Sequence, residues 1–238
     1  MKIPSSIKPR DTYVDRIRPY IGKNLIKVLS GQRRVGKSYL LYQLMQLILE
    51  EQPGTNLIYI NKEDLQFDHI QTAKDLNDYV TSQLKPTTRN AIFIDEIQDI
   101  QDFEKALHSL LLDELNDLYI TGNNAHMLSG ELATYLSGRY IEFNIYSLSY
   151  NEFLFFHQLA DNNESLELYI KYGGLPYLIN LALNDHVFDY LTSVYFTIIY
   201  RDVVSRYAIR NTQFLESWFH FWQIISAACF RLNASATF

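Results

Sequence analysis

Cysteine occurs once in the 238 residues, as Cys229. This excludes an intramolecular disulfide framework and any cysteine-rich zinc site. The six histidines are scattered without paired ligand spacing, so no zinc or iron site is expected. No uninterrupted apolar run approaches the roughly 20 residues of a membrane span. The longest, near Val194–Tyr200, reads as a buried helix. The start, Met1-Lys2-Ile3-Pro4-Ser5-Ser6, lacks the apolar core of a signal peptide. No internal repeat or low-complexity tract stands out. Secretion and membrane contact are not expected; a cytoplasmic chain is.

What is present is an ordinary folded composition, 47% apolar and 20% charged, with a formal net charge of -6. The charge is uneven. Residues 1–40 hold ten Lys/Arg and two acids, a net of +8, and the remainder nets -14. An acidic bulk argues against a surface coated for non-specific nucleic-acid binding, whereas a basic beginning suits an anionic ligand.

Residues 24–145 alternate short apolar runs with amphipathic stretches. Strands are expected at Leu25–Leu29, Leu57–Ile60, Ala91–Ile94, Leu118–Thr121 and Tyr140–Ile145. Helices are expected near Lys37–Glu51, Thr72–Leu84, Asp102–Glu114 and Met127–Leu136. The alternation predicts an α/β fold, a mostly parallel five-stranded sheet with helices on both faces. After Ser149 the pattern changes to aromatic helical stretches near Tyr150–Gln158, Glu164–Tyr172, Pro176–Leu183 and His186–Tyr207. The expected division is therefore 1–149 as the core and 150–238 as a helical lid segment.

Gly31-Gln32-Arg33-Arg34-Val35-Gly36-Lys37-Ser38 matches the phosphate-loop pattern G-x-x-x-x-G-K-[ST], after an expected strand and opening an expected helix. Chance yields this pattern in about one such chain in a hundred. Backbone N–H groups of Gly31, Arg34, Val35, Gly36 and Tyr39 are candidates for cradling phosphate at a helix N-terminus. Lys37 would reach the β- and γ-phosphates from an exposed position above the sheet edge, and Ser38 would ligate Mg²⁺. Ala91-Ile92-Phe93-Ile94-Asp95-Glu96 delivers two carboxylates to the C-terminal edge of a buried strand, where open parallel sheets bind ligands. Asp95 is the candidate for holding Mg²⁺ and Glu96 for polarising the attacking water. Adjacent Asp-Glu favours the additional-strand ATPases over nucleotide kinases and GTPases. Asn61-Lys62-Glu63-Asp64 spells the guanine-reading N-K-x-D but precedes the Asp-Glu strand, so it reads as a polar strand exit.

Asn123, just beyond the fourth strand, is the candidate sensor of γ-phosphate and water, with a turn Asn as the plain alternative. Arg139 is a candidate for stabilising the transferred phosphoryl group in cis or in trans, or else an exposed salt-bridging Arg. Arg10, Tyr13 and Arg16 precede the first strand by a short link, which brings the basic start beside the nucleotide. Tyr13 would stack on adenine or lie at the surface.

GQRRVGKS at Gly31–Ser38, IFIDEI at Ile92–Ile97 and the run Thr121–Phe153 resemble the bacterial and archaeal AAA-type ATPases with a C-terminal DUF4143 region. YGGLPYLINL at Tyr172–Leu181 and IIYRDVVSRYAIRN at Ile198–Asn211 are similar to the same family's helical segment. The resemblance implies an AAA_14-like core, ATP with Mg²⁺, and a core distantly related to origin-recognition ATPases. It also implies DNA as a partner, together with a homo-oligomer or another protein. Family members usually continue through a winged helix into a nuclease-like domain, so a truncated product is expected here. Three readings follow: an ATP-hydrolysing switch, a nucleotide-binding module with little hydrolysis, and a small-molecule kinase.

Overall fold

The computed structural model describes residues 7–122 and 138–198, with Pro4, Leu136, Tyr200 and Val204. Five strands form one sheet: β1 Ile26–Ser30, β2 Asn56–Asn61, β3 Asn90–Asp95, β4 Asn116–Gly122 and β5 Tyr140–Asn144. Their order is β2-β3-β4-β1-β5, and every neighbouring pair is parallel. All five expected strands are present, each within two residues of its expected ends. Register aligns Leu29 with Thr121 and Ile94 with Ile120, so β1, β3 and β4 deliver their C-terminal residues to one edge.

Alternation along the strands divides the core. Ile92, Ile94, Leu118 and Ile120 face one side and pack with α3 (Ala73–Gln83) and α4 (Phe103–Leu110). Ala91, Phe93 and Tyr119 face the other and pack with α1 (Asp11–Ile17) and α2 (Lys37–Glu51). Period-2 strands buried on both faces need apolar residues at nearly every position, which explains why they read as continuous runs. Helix α2 contributes Leu40, Leu41, Leu44, Met45 and Ile48 on one stripe.

Local chemistry sets the ends. Thr72 and Asp75 form a capping box that starts α3. Helix α4 stops at Leu110, short of the expected Glu114, because the Asp113 carboxylate accepts the Leu115 N–H and the Asp113 carbonyl accepts the Asn116 N–H. An Asx turn offers the backbone an alternative to helix. The short helix α1 carried too few residues to show a period and was not expected. Beyond β5, α5 (Tyr150–His157) and α6 (Asn163–Tyr172) enclose a small cluster of Leu148, Phe153 and Phe156. Pro176–Asn180 is a 3₁₀ turn, not the α-helix expected there.

The chain divides into two compact units, Met1–Asn184 and Asp185–Phe238. The described part of the second is Asp185, His186 and α7 (Val187–Ile198), with Tyr200 and Val204. The expected helix at Met127–Leu136, apart from Leu136, lies outside the described residues, as does Asn123.

Candidate active site

The loop after β1 passes close to Ile145, just beyond β5. At Gly31 a Cβ would stand 2.2 Å from the Ile145 carbonyl oxygen, so only glycine permits this approach. Gly36 has φ +95 and serves as the N-cap of α2, a left-handed conformation that leaves the first N–H groups of the helix facing the loop. Arg34 is exposed with φ 65, Val35 is buried, and Tyr39 is half exposed. Lys37 is buried, contrary to the expected exposed position. Its ammonium donates to the carbonyls of Gly31 at 2.9 Å and Gln32 at 3.1 Å. The loop's own carbonyls thus solvate a charge whose burial would otherwise be costly.

β3 brings Asp95 and Glu96 to the same edge, both buried. Asp95 accepts the hydroxyl of Thr121, at the end of β4. Tyr59 on β2 donates to its second oxygen at 3.4 Å and pairs with Tyr42 on α2 at 3.1 Å. Burial pushes the Asp95 carboxyl up, and the Glu96 charge adds to this. The hydrogen bond from Thr121, the nearby Ser38 hydroxyl and the charge of Lys37 pull it down. Burial also raises the Tyr59 hydroxyl, with Asp95 adding to it, which keeps Tyr59 a donor.

Glu96 has a left-handed backbone, φ 57 and ψ 51, and its N–H is held by the Thr121 hydroxyl at 3.0 Å. A non-glycine residue in this region is strained and persists only where its surroundings over-determine it. The Glu96 carboxylate accepts from the Gln98 amide and lies 3.8 Å from the Arg33 guanidinium of the phosphate loop.

The structure therefore brings Gly31, Gly36, Lys37, Ser38, Asp95 and Glu96 together. It does not bring Arg139 to them. Arg139 is exposed, and its carbonyl accepts the N–H of Ile26, where β1 begins; the phosphate loop follows the other end of that strand. Five residues of strand are about 16 Å long, which carries Arg139 to the opposite edge of the sheet. Tyr13 is neither an adenine platform nor a surface aromatic. It is buried against α2, with its hydroxyl accepting the Tyr146 N–H at 3.0 Å and the Arg10 guanidinium over its ring. Asn61–Asp64 is a strand exit as expected: Lys62 donates to Phe67 and Ile70 carbonyls, and Asp64 caps the turn Leu65–Phe67.

Two contributors, Thr121 and Pro176, escaped the sequence, and a third, Arg10, was placed near the nucleotide but without its contact. Thr121 needed the β3–β4 register to be seen beside Asp95. Arg10 donates to the Val35 carbonyl of the phosphate loop at 3.0 Å. The ring of Pro176 lies 3.7 Å from where a Cβ on Gly36 would stand, so the Gly-Gly-Leu-Pro segment borders the loop. That last signal was present in the segment's glycines, because the Gly174 carbonyl accepts the Leu148 N–H at close backbone range, 2.7 Å.

A parallel sheet of this strand order, with a glycine loop after β1 and an Asp-Glu pair ending β3, defines a P-loop NTPase of the additional-strand class. Within that class the chain belongs to the AAA_14 family, described as an AAA domain, which it matches over residues 23–154. It is 33% identical over 215 residues to an uncharacterized protein of Haemophilus influenzae, covering 87% of this chain and 53% of that one. It is 34% identical over 200 residues to an uncharacterized protein of Methanocaldococcus jannaschii, covering 79% and 44%. The chain thus spans about half the length of these relatives. Solved structures with a similar fold include the replication initiator DnaA bound to AMPPCP and single-stranded DNA, at 15% identity, 87% and 73% coverage and TM-score 0.49. Another is the Aeropyrum pernix ORC1 protein in complex with DNA, at 14%, 81% and 67%, and 0.47. Among the described residues no helix is long and apolar enough to cross a membrane.

Proposed function

We propose that this chain binds ATP with Mg²⁺ and hydrolyses it, using the cycle as a conformational switch. The observation that carries the reading is the phosphate loop itself, whose buried Lys37 is held by the Gly31 and Gln32 carbonyls at the same sheet edge as the buried Asp95 and Glu96, both tied to Thr121. The Ser38 hydroxyl and the Asp95 carboxylate make an all-oxygen donor pair, the kind Mg²⁺ takes alongside substrate phosphates and water. When bound, the metal would neutralise charge between the β- and γ-phosphates. Lys37, released from two carbonyls, would hold those phosphates, and the N–H groups opening α2 would surround them. Glu96 would orient the attacking water and take its proton. Thr121 holds both carboxylate residues in place, and Asn123 would add a contact to γ-phosphate.

Mg²⁺-dependent ATP binding and steady-state phosphate release by the purified chain test the reading. Absence of both sinks it. A second reading, nucleotide binding with little turnover, is favoured by one observation: Glu96 is already engaged by Gln98 and Arg33. Binding without phosphate release selects it. A small-molecule kinase would need an acceptor, and ATP consumption without one counts against it. The helical segment from residue 150 would act as a lid. Arg139 would serve a neighbouring subunit's site in a homo-oligomer. DNA or a protein as the switch's partner, a DUF4143 continuation and a cytoplasmic location rest on the family resemblance.

A further inference from the structure

Arg10 is among the most completely bonded side chains in the described residues, and only 4% of it is exposed. Its Nη1 donates to two carbonyls, Val35 in the phosphate loop and Tyr146 after β5, each at 3.0 Å. Its Nε and Nη2 donate to the two oxygens of Glu152 at 2.8 and 3.1 Å, a bidentate pair. Glu152 in turn is the capping-box partner of Ser149 at the start of α5. The guanidinium lies 4.6 Å from the centroid of Tyr13, and the backbone N–H of Arg10 is fixed by Gln43 of α2.

One of these bonds bears on phosphate recognition. A peptide unit is planar and trans, so the Val35 carbonyl and the Gly36 N–H point in opposite directions. Holding the carbonyl therefore fixes the direction of the N–H. Free peptides beside a left-handed glycine can rotate with little penalty, and a loop that must present its N–H groups to phosphate loses affinity if they do. A charged donor on the carbonyl also polarises the unit and strengthens its N–H as a donor.

We propose that Arg10 is a positioning residue for phosphate binding: it sets the 35–36 peptide so that Gly36 donates to the nucleotide, and Glu152 orients Arg10. This rests on the loop being a nucleotide site. It also makes the phosphate cradle sensitive to the placement of α5, because Glu152 begins that helix. Lysine can donate to one of the carbonyls but cannot span both and a carboxylate, so charge alone is not a substitute.

The test uses the whole chain, with ATP and Mg²⁺ as the probe, on the parent, Arg10→Lys, Glu152→Gln and Lys37→Ala. ATP affinity is expected to fall about ten- to a hundredfold in Arg10→Lys, the range for losing a hydrogen bond to a charged group. A smaller fall is expected in Glu152→Gln, which keeps one acceptor. The Gly36 amide resonance, followed by NMR without ligand, is expected to move in both. A purely structural role would lower thermal stability while leaving the affinity of the folded fraction and the Gly36 resonance as in the parent, and that result overturns the proposal. If Arg10→Lys does not fold, Glu152→Gln alone decides on the same two readouts. A parent chain that binds no ATP overturns the nucleotide reading itself. A parent that binds ATP with Lys37 required, but equally well without the Arg10 guanidinium, overturns only this proposal.

Discussion

The hydroxyl of Thr121, at the end of β4, donates to the carboxylate of Asp95, at the end of β3, and its oxygen receives the N–H of Glu96 at 3.0 Å. One side chain thus sets both carboxylate residues. Thr121→Val keeps the shape and removes both bonds, leaving a buried carboxylate short of a donor and a buried N–H without an acceptor. Each unsatisfied group costs about 1–3 kcal/mol. Chemical denaturation is expected to show a loss in that range, and phosphate release is expected to fall with it. Parent-like values for both would mean that Asp95 is held without Thr121, with Tyr59 as its remaining donor.

The same residue shows what could be read from the sequence. Thr121 and Asp95 were each visible as strand-end residues, but their contact depends on the offset between β3 and β4, which no local pattern encodes. Strands and phosphate loop were legible because period, glycine spacing and the turn to a helix are local properties. The long-range bonds of Arg10, 25 residues from Val35 and 142 from Glu152, were not. A basic start announced an anionic neighbourhood, yet the geometry turned Tyr13 into core and Arg10 into the contact. Lys37 differs from its expected place for a related reason: a charged side chain reads as exposed until the carbonyls that satisfy it are known.

Lys37→Ala is expected to abolish ATP binding, measured by titration with Mg²⁺ present. It also frees the exposed Gln32 carbonyl and the buried Gly31 carbonyl; one unsatisfied buried acceptor costs about 1–3 kcal/mol of stability without changing the helix and strand content. The far-UV circular dichroism of the variant is therefore expected to match the parent. Retained ATP affinity would remove Gly31–Ser38 from the site.

Glu96→Gln separates binding from hydrolysis. The amide preserves size and can still pair with Gln98, but it cannot take a proton. General-base contributions of about 10²–10⁴-fold set the expected fall in phosphate release. ATP binding is expected to persist, whereas Asp95→Asn is expected to weaken Mg²⁺-dependent binding and hydrolysis together. Unchanged turnover in Glu96→Gln would leave that residue only its place in the strand exit.

At the far edge of the sheet, Lys27 on β1 and Asp117 on β4 form a fully buried ion pair. Asp117 also accepts from the Gly22 N–H and the Tyr119 hydroxyl, each at 2.7 Å. Burial pushes the Lys27 ammonium down, and Asp117 opposes that. Asp117→Ala strands a buried ammonium and two further donors, so a loss of about 3–5 kcal/mol is expected from denaturant unfolding. Lys27→Met is expected to cost less, because Asp117 keeps two donors. Nucleotide affinity of the folded fraction is expected to be unchanged in Lys27→Met, since the pair lies a strand's length from the phosphate loop.

Glu152 gives the chain an acid-sensitive joint. Burial alone would raise its carboxyl, but hydrogen bonds from Arg10 and Ser149 and the Arg10 charge outweigh that and hold it below the ordinary value of 4.5. A carboxyl whose value is depressed in the folded state stabilises that state fully above the unfolded value. The contribution is lost as pH falls through the folded one. The stability difference between the parent and Glu152→Gln is therefore expected to be constant from neutral pH down to about 4.5 and to shrink below it. Denaturant midpoints measured across that range check this. A difference that stays the same at every pH would show that the amide loses packing or geometry, not charge, and that the Arg10–Glu152 bond holds α5 without its ionic component.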